Sequence, residues 1–302
     1  MKGLVTNIQG YSNQDGPGNR MLVFFKGCGL ECQWCANPEC ISPYPEVGFF
    51  ENLCTGCGKC SAICPEKALF FDGNGRPSID RSHCAGCGEC VSVCDNHALV
   101  MYGKQMSVSE VFEMMHRDGM RYQASGGGVT VSGGEPLLQS HFVCALFEEC
   151  RKANIHTCIE TSGALSSSNL DEVLTLTDFM VFDLKHMNPD QHRKLTGLTN
   201  SVVLDNARRV AQNGVDVLFR MHLIPGINDG LQNIRETAVF LTELGSNTRR
   251  IQLMPYHRLG QSKYQALSRP CRLASLTPAE PSQIEVVKCV FQDLGIECSV
   301  GE

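Results

Sequence analysis

The sequence predicts an α/β chain: a partial, open (β/α)6 barrel interrupted near its start by a small cysteine-rich domain. Three observations carry this. Residues 104–302 alternate strand-like and helix-like segments, which implies a parallel sheet with right-handed crossovers. A further strand-like segment, "MLVFF" (21–25), precedes them. In between, residues 41–103 are rich in Cys and Gly and have Pro at their leading edge, "ISPYPEVG". The expected division is residues 1–40 with 104–302 for the barrel and 41–103 for the insert.

The elements follow in order. "SVSEVFEMMHRD" opens on a possible capping box, Ser107 with Glu110, and continues with helical apolar spacing. "GVTVS" (128–132) reads as a strand, and "PLLQSHFVCALFEECRKA" as a helix opened by Pro136. "IHTCIETS" reads as a strand, "SNLDEVLTL" as a helix with Ser or Asn at its cap, and "FMVFDLK" as a strand. "SVVLDNARRVAQNG" is a helix with Gly214 at the C′ position. "VDVLFRMHLIPG" is a strand, "NIRETAVFLTELG" a helix and "RRIQLMPY" a strand. "PSQIEVVKCVFQDLG" is a helix, and "IECSVG" a last short strand. With "MLVFF" this makes about six βα units, short of the eight of a closed barrel.

Active sites of such folds gather at the carboxyl ends of the strands. Here those ends are chemically loaded. Cys28 follows the first strand, "SGGE" the second and Glu160-Thr161 the third. Asp183 and Lys185 follow the fourth, Arg220 and His222 lie late in the fifth, and Tyr256-His257 follow the sixth. One polar strand end is ordinary surface. Six on one edge describe a site.

Composition narrows the class. The formal net charge of −6 offers no global attraction to nucleic acid or an anionic membrane. No apolar run approaches a membrane span, and the first residues lack a signal peptide's apolar region, so a cytoplasmic protein is expected. The 18 cysteines are the outlier, and twelve of them lie between Cys28 and Cys94. Clustering of that kind points to metal rather than to disulfides. Cys144, Cys158 and Cys289, in apolar or helical context, read as small hydrophobes.

"CTGCGKCSAICP" (Cys54, Cys57, Cys60, Cys64) recurs 30 residues later as "CAGCGECVSVCD" (Cys84, Cys87, Cys90, Cys94). C-x2-C-x2-C-x3-C-P is the bacterial ferredoxin run for a [4Fe–4S] cluster, and in two-cluster ferredoxins the fourth cysteine ligates the other cluster. The insert is therefore expected to be ferredoxin-like. One cluster would sit on Cys54, Cys57, Cys60 and Cys94, the other on Cys84, Cys87, Cys90 and Cys64. Structural zinc is the alternative. Zinc ribbons use two well-separated CxxC pairs, which this spacing does not supply. Asp95 stands where the first run has Pro65, and the ligands are intact.

The stretch "GCGLECQWCANPEC" (27–40) is different. Cys28, Cys32 and Cys35 form a C-x3-C-x2-C trio with Trp34 before its last member, just after a first strand. The trio resembles the signature of the radical S-adenosylmethionine enzymes. "DGPGNR" (15–20), "FFKGC", "WCANPE", "SGGGVTVSGGEPLLQ" (125–139), "HTCIETSG", "FDLKHM" and "LMPYHRLG" extend the likeness. With the repeat, the chain resembles the glycyl-radical-enzyme activating family, in the subgroup with an inserted ferredoxin-like domain. Asn19 replaces the family's usual Ile, and Gly29 stands where Pro or Leu is common.

The resemblance implies an activase that cleaves S-adenosylmethionine reductively to a 5′-deoxyadenosyl radical. That radical would take hydrogen from a backbone glycine of a large glycyl radical enzyme, the partner. The resemblance also implies three [4Fe–4S] clusters, two of them auxiliary. Three thiolates on the trio's cluster leave one iron open for S-adenosylmethionine. Gly133 and Gly134 would let the backbone approach the methionine end, with Glu135 helping to hold it. Asp183, Leu184 and Lys185 would meet the zwitterion. His257 and the backbone around Trp34, Cys35 and Ala36 would line the nucleoside side. In family members Glu160, Thr161 and Asp183 correspond to a monovalent-cation site. A low-potential donor such as flavodoxin or ferredoxin would feed the auxiliary clusters. No acid–base residue is expected beyond the cluster and S-adenosylmethionine.

Two other classes compete. One is a radical enzyme acting on a small molecule or peptide, and the other a plain iron–sulfur electron carrier. The carrier would need the repeat but not the trio, "SGGE" or "DLK". Cys40 is expected not to be a ligand, because a fourth thiolate would close the open iron.

Overall fold

The structure, a computed structural model, describes residues 1–71 and 77–301. Its strands, in chain order, are β1 (Lys2–Ser12), β2 (Arg20–Phe25), β3 (Glu46–Phe49), β4 (Leu69–Phe71) and β5 (Pro77–Ile79). They continue as β6 (Leu99–Tyr102), β7 (Lys104–Ser107), β8 (Gly128–Gly133), β9 (His156–Thr161) and β10 (Phe179–Asp183). The last three are β11 (Asp216–Leu223), β12 (Arg250–Pro255) and β13 (Glu297–Val300).

Nine of these form one sheet in the order β13-β12-β11-β10-β9-β8-β2-β1-β7. From β2 through β8 to β13 every neighbouring pair is parallel. β1 is antiparallel to both β2 and β7. The chain steps one strand at a time from β8 to β13, and a sheet wound in one direction collects its helices on one face. That face is the main core. Helices Ser140–Lys152, Ser167–Leu174, Ser201–Asn213, Leu231–Leu244 and Pro281–Asp293 bury Leu146, Val173, Ala207, Ile234 and Phe291 against Val129, Val131, Ile159, Phe182, Phe219 and Ile251. The alternate residues of the same strands, Thr130, Ser132, Glu160, Asp183 and Arg220, turn to the concave face. The order ends at β7 and β13, so the sheet stays open as a partial barrel.

Local signals behave as expected at several ends. Ser107 and Glu110 form the reciprocal capping box. Pro136 opens a 3-10 turn, Pro136–Gln139, before the helix Ser140–Lys152. Gly214 closes its helix at φ +84°. β1 and the edge strand β7 were not expected. Irregular register between Val5 and Asn7, and again between Gln9 and Ser12, breaks the two-residue period of β1, and its outer half is largely exposed. Short helices Pro189–Thr196 and Gln261–Ala266 also lay outside the sequence reading.

The insert repeats in shape as it does in sequence. Gly56 and Gly58 have positive φ, as do Gly86 and Gly88 thirty residues on, and so do Lys67 and its counterpart His97. Each cysteine loop leads into a one-turn helix, Lys59–Ile63 or Glu89–Ser92, that carries the third cysteine. The strands pair across the halves, β3 with β6 and β4 with β5. Val47, Leu69, Ile79, Cys90 and Leu99 make a small core against which Cys60, Cys64, Cys84 and Cys94 pack.

Candidate active site

The trio's loop is fastened on both sides. Glu31 and Gln33 donate their backbone N–H groups to the carbonyls of Thr196 and Leu195 (2.8 and 3.1 Å). Gly27 and Cys28 donate to the carbonyls of Cys40 and Ile41 (2.8 and 2.9 Å). Trp34 packs in a cluster with Leu195, Ile224 and Tyr256, with Cys32 at its edge. Tertiary contacts thus hold a loop that has no regular structure of its own.

The "SGGE" turn lies under this loop. Gly134 N donates to Phe25 O (2.9 Å) and Glu135 N to Gly27 O (2.7 Å). A Cβ at Gly134 would stand 2.1 Å from Gly27 O and 2.6 Å from Cys40 O. Glycine is required there because two backbones touch.

A cavity of about 480 Å³ opens on the concave face, within the usual range of roughly 300–1,000 Å³ for small-molecule sites. It is lined by Cys28, Cys32 and Cys35, by Trp34 and Ala36, by Gly133 and Gly134, by Asp183 and Lys185, and by His257. Two expected residues are placed differently. The Leu184 side chain is buried in the main core on the other face. Glu135 does not line the cavity. Its carboxylate accepts from Thr161 Oγ1 (2.6 Å), Ser162 Oγ (2.7 Å), Ser162 N (3.0 Å) and Leu137 N (3.2 Å). It braces the turn from beneath and has no free oxygen to offer above.

The cavity also has residues outside the expected set: Asp15, Ser132, Arg220, His222, Met254 and Lys263. Arg220 donates to Glu160 (2.6 Å), to Gln252 (2.9 Å) and to the Gln14 carbonyl (3.1 Å). It so ties the "DGPGNR" loop to the sheet. The strand-end pattern already pointed at Arg220 and His222. Lys263 comes from a segment with no strand or motif to announce it.

The electrostatics are those of opposed charges out of water. Lys185 Nζ lies 2.6 Å from Asp183 Oδ2. Burial works against the Lys185 charge, and the adjacent Asp183 carboxylate overcomes it and raises the pKa. Burial likewise works against the Asp183 carboxylate, and Lys185 outweighs it and holds the pKa down. Burial and the Lys185 charge push His222 down to about 4, so it is neutral near pH 7. Among the described residues, Asp183 Oδ1 has no hydrogen-bond partner.

The donor set suits an iron–sulfur cluster with one free position. Burial pushes the trio's thiols up, Cys35 to about 12, so iron must displace protons to bind. Among the described residues no three His, Cys, Asp or Glu side chains converge on one ion position. A cubane, with irons at separate corners, spreads its thiolates further than one zinc ion does. Cys40 is 1% exposed and does not line the cavity.

In the insert, a separate cavity of about 90 Å³ gathers Cys54, Cys57, Cys60 and Cys94. Cys64 is absent from it and accepts from Ala68 N (3.3 Å). Cys90 lies within electrostatic reach of Cys84 and Cys87. The residues expected at a cation position make protein contacts of their own. Glu160 is engaged by Arg220 and Ser132, Thr161 by Glu135 and Gly163, and Asp183 by Lys185. Asp183 Oδ1 is left without a hydrogen-bond partner among the described residues.

Residues 83–240 match the radical SAM superfamily and residues 47–95 the 4Fe-4S dicluster domain. The chain is 40% identical, over 99% of its length and 97% of the relative's, to the (2S)-3-sulfopropanediol dehydratase activating enzyme of Klebsiella oxytoca. It is also 40% identical, over 89% of this chain and 87% of the relative, to the isethionate sulfite-lyase activating enzyme of Desulfovibrio desulfuricans. A radical SAM methyltransferase structure from Sphaerobacter thermophilus matches with a TM-score of 0.51 at 18% identity, covering 66% of this chain and 58% of that one. That last likeness speaks to the fold alone. Trio, insert and full-length relatives agree, and the chain belongs to the radical S-adenosylmethionine superfamily, among the glycyl-radical-enzyme activating enzymes that carry an inserted dicluster domain.

Proposed function

We propose that this chain is an activase that cleaves S-adenosylmethionine reductively and installs a radical on a backbone glycine of a partner glycyl radical enzyme. The observation that carries the reading is the shared cavity. Three thiols from one loop, two glycines from a second strand end and an Asp–Lys pair from a third face the same space. When bound, the cluster would supply the one electron that splits the sulfonium into methionine and a 5′-deoxyadenosyl radical, which would take hydrogen from the glycine Cα.

The chain's own residues bind and orient. Cys28, Cys32 and Cys35 would hold three irons, and the missing fourth thiolate would leave room for the amino and carboxylate groups of S-adenosylmethionine. Gly133 and Gly134 present backbone to the methionine end. Lys185 faces its carboxylate and Asp183 Oδ1 its ammonium. His257 and the backbone at Trp34 and Ala36 line the nucleoside. Cys54, Cys57, Cys60 and Cys94 hold one auxiliary cluster, and Cys84, Cys87, Cys90 and Cys64 the other. We keep 1–40 with 104–302 as the catalytic unit and 41–103 as the insert. A low-potential flavodoxin or ferredoxin is the donor we propose. No helix among the described residues is long and apolar enough to cross a membrane, and the many free thiols suit a reducing, cytoplasmic compartment.

The partner's own substrate is open. Relatives named for a dehydratase and for a sulfite-lyase are both 40% identical, over 99% and 89% of this chain. The test is anaerobic. Reconstituted protein is mixed with dithionite, S-adenosylmethionine and a candidate glycyl radical enzyme. The expected products are 5′-deoxyadenosine and a glycyl radical signal by electron paramagnetic resonance. Absence of 5′-deoxyadenosine favours the electron carrier. 5′-Deoxyadenosine without a glycyl radical on any partner favours a small-molecule or peptide substrate.

A further inference from the structure

The two cysteine runs are alike in sequence but not in their surroundings. Every residue lining the Cys54–Cys57–Cys60–Cys94 cavity lies between Phe49 and Leu99, inside the insert. A Cβ on Gly86, between Cys84 and Cys87, would stand 2.5 Å from Pro45 O. Pro45 in turn abuts Gly103, where a Cβ would meet the Lys26 stem at the end of β2.

Arg81, three residues before Cys84, joins the two bodies. It donates to the Val47 carbonyl of β3 and to the Ala266 carbonyl at the end of helix Gln261–Ala266 (3.0 Å to the latter). The other end of that helix sits on the trio. Gly260 packs against the carbonyls of Cys35 and Ala36, and Lys263 Nζ reaches Asn37 (2.8 Å) and Glu39 (2.7 Å). One helix of six residues therefore touches the trio's loop with its start and the second run's anchor with its end.

The seat is built from charge. Lys26 Nζ donates to Glu46 (2.8 Å) and to the Glu39 carbonyl (2.7 Å), and Arg269 binds the other Glu46 oxygen (2.6 Å). The Lys26 side chain is 0% exposed. An ammonium removed from water needs good geometry, and shifting this contact would leave the Lys26 charge unpaired.

We propose that the second run is the inner auxiliary site, fixed against the trio by Arg81 and the Gln261–Ala266 helix, and that the first run is the outer one. A low-potential one-electron donor protein would then be oxidised at the outer site, and the electron would reach the inner site before the trio. This rests on the three-cluster reading above.

The test uses reconstituted, dithionite-reduced full chain and pulsed electron paramagnetic resonance. S-adenosylmethionine identifies the trio's signal by shifting it. A neighbouring reduced cluster speeds relaxation of that signal. Cys87→Ala is expected to lose the enhancement and Cys57→Ala to keep it, both positions being exposed. Arg81→Gln, which retains all eleven thiolates, is expected to keep the wild-type iron content and weaken the enhancement. Rapid-freeze reduction by a photoreduced flavoprotein is expected to slow in both cysteine variants. Loss of enhancement in Cys57→Ala with retention in Cys87→Ala reverses the order and overturns the proposal. So does retention in both cysteine variants. Wild-type protein with far fewer than roughly twelve irons per chain overturns the three-cluster reading itself, and the order with it.

Discussion

Lys185 Nζ lies 2.6 Å from Asp183 Oδ2, and Asp183 Oδ1 has no hydrogen-bond partner among the described residues. The pair is buried, so its two roles can be separated. Lys185→Met leaves the carboxylate unpaired and is expected to cost about 3–5 kcal/mol in urea unfolding of the metal-free chain. Asp183→Leu combined with Lys185→Met removes both charges and is expected to regain most of that loss. S-adenosylmethionine binding by the reconstituted protein should be lost in both variants. A double variant as unstable as the single would contradict the ion-pair account.

His222 gives a pH signature. Its folded pKa is about 4, and an unfolded histidine takes its proton near about 6.5. Between those values the unfolded chain binds more protons than the folded one, so folding weakens as pH falls through that window. His222→Gln is expected to flatten this part of the profile, read as urea midpoints of the metal-free chain between pH 7 and 4. Equal slopes in the two proteins would show that His222 titrates normally.

Glu135 is expected to behave as a brace. Glu135→Gln puts an amide N–H₂ in place of one oxygen, facing the donors of either Thr161 and Leu137 or Ser162. Facing donors leave buried groups unsatisfied, at about 1–3 kcal/mol. Urea unfolding should show that loss. The affinity for S-adenosylmethionine should fall less than in the Asp183 variant, because the Glu135 side chain lies outside the cavity.

Much of this was legible in the sequence because it is written in short, local patterns. Seven parallel strands could be read from apolar runs, and the insert from a 30-residue repeat. The trio's neighbours could be named because strand ends of a singly wound sheet share one edge. What stayed hidden depends on direction. Spacing does not say that Glu135 turns down and Asp183 up, since Glu135 stands two residues past β8 and Asp183 is the last residue of β10. Nor does it reveal that Arg220 on β11 would hold the carbonyl of Gln14, 206 residues away. β1 escaped because its register breaks erase alternation and it carries no long apolar run.

Two glycines of the site separate close approach from mere freedom. Gly134 has backbone oxygens where its Cβ would go, whereas at Gly29 the nearest such atom, Ala164 O, is 3.8 Å away. Gly134→Ala must push the trio's loop off the turn. It is expected to cost about 1–3 kcal/mol or more and to lower iron retention by the trio. Gly29→Ala should stay within about 0.5 kcal/mol. Chemical unfolding and iron assay of both variants provide the check.

Cys40 and Cys35 are only five residues apart, and the fold gives them opposite fates. Cys35 lines the cavity, while the Cys40 thiol is buried against Thr6 with its carbonyl engaged by Gly27 N. Cys40→Ala removes one buried sulfur, comparable to a methylene, at about 1 kcal/mol. Its iron content and 5′-deoxyadenosine yield should match wild type. Cys35→Ala should abolish 5′-deoxyadenosine and lose roughly four of about twelve irons, leaving the insert's clusters in place. If Cys40→Ala loses that same share of iron, the trio is a quartet. S-adenosylmethionine would then lack the open iron on which the proposed reaction depends.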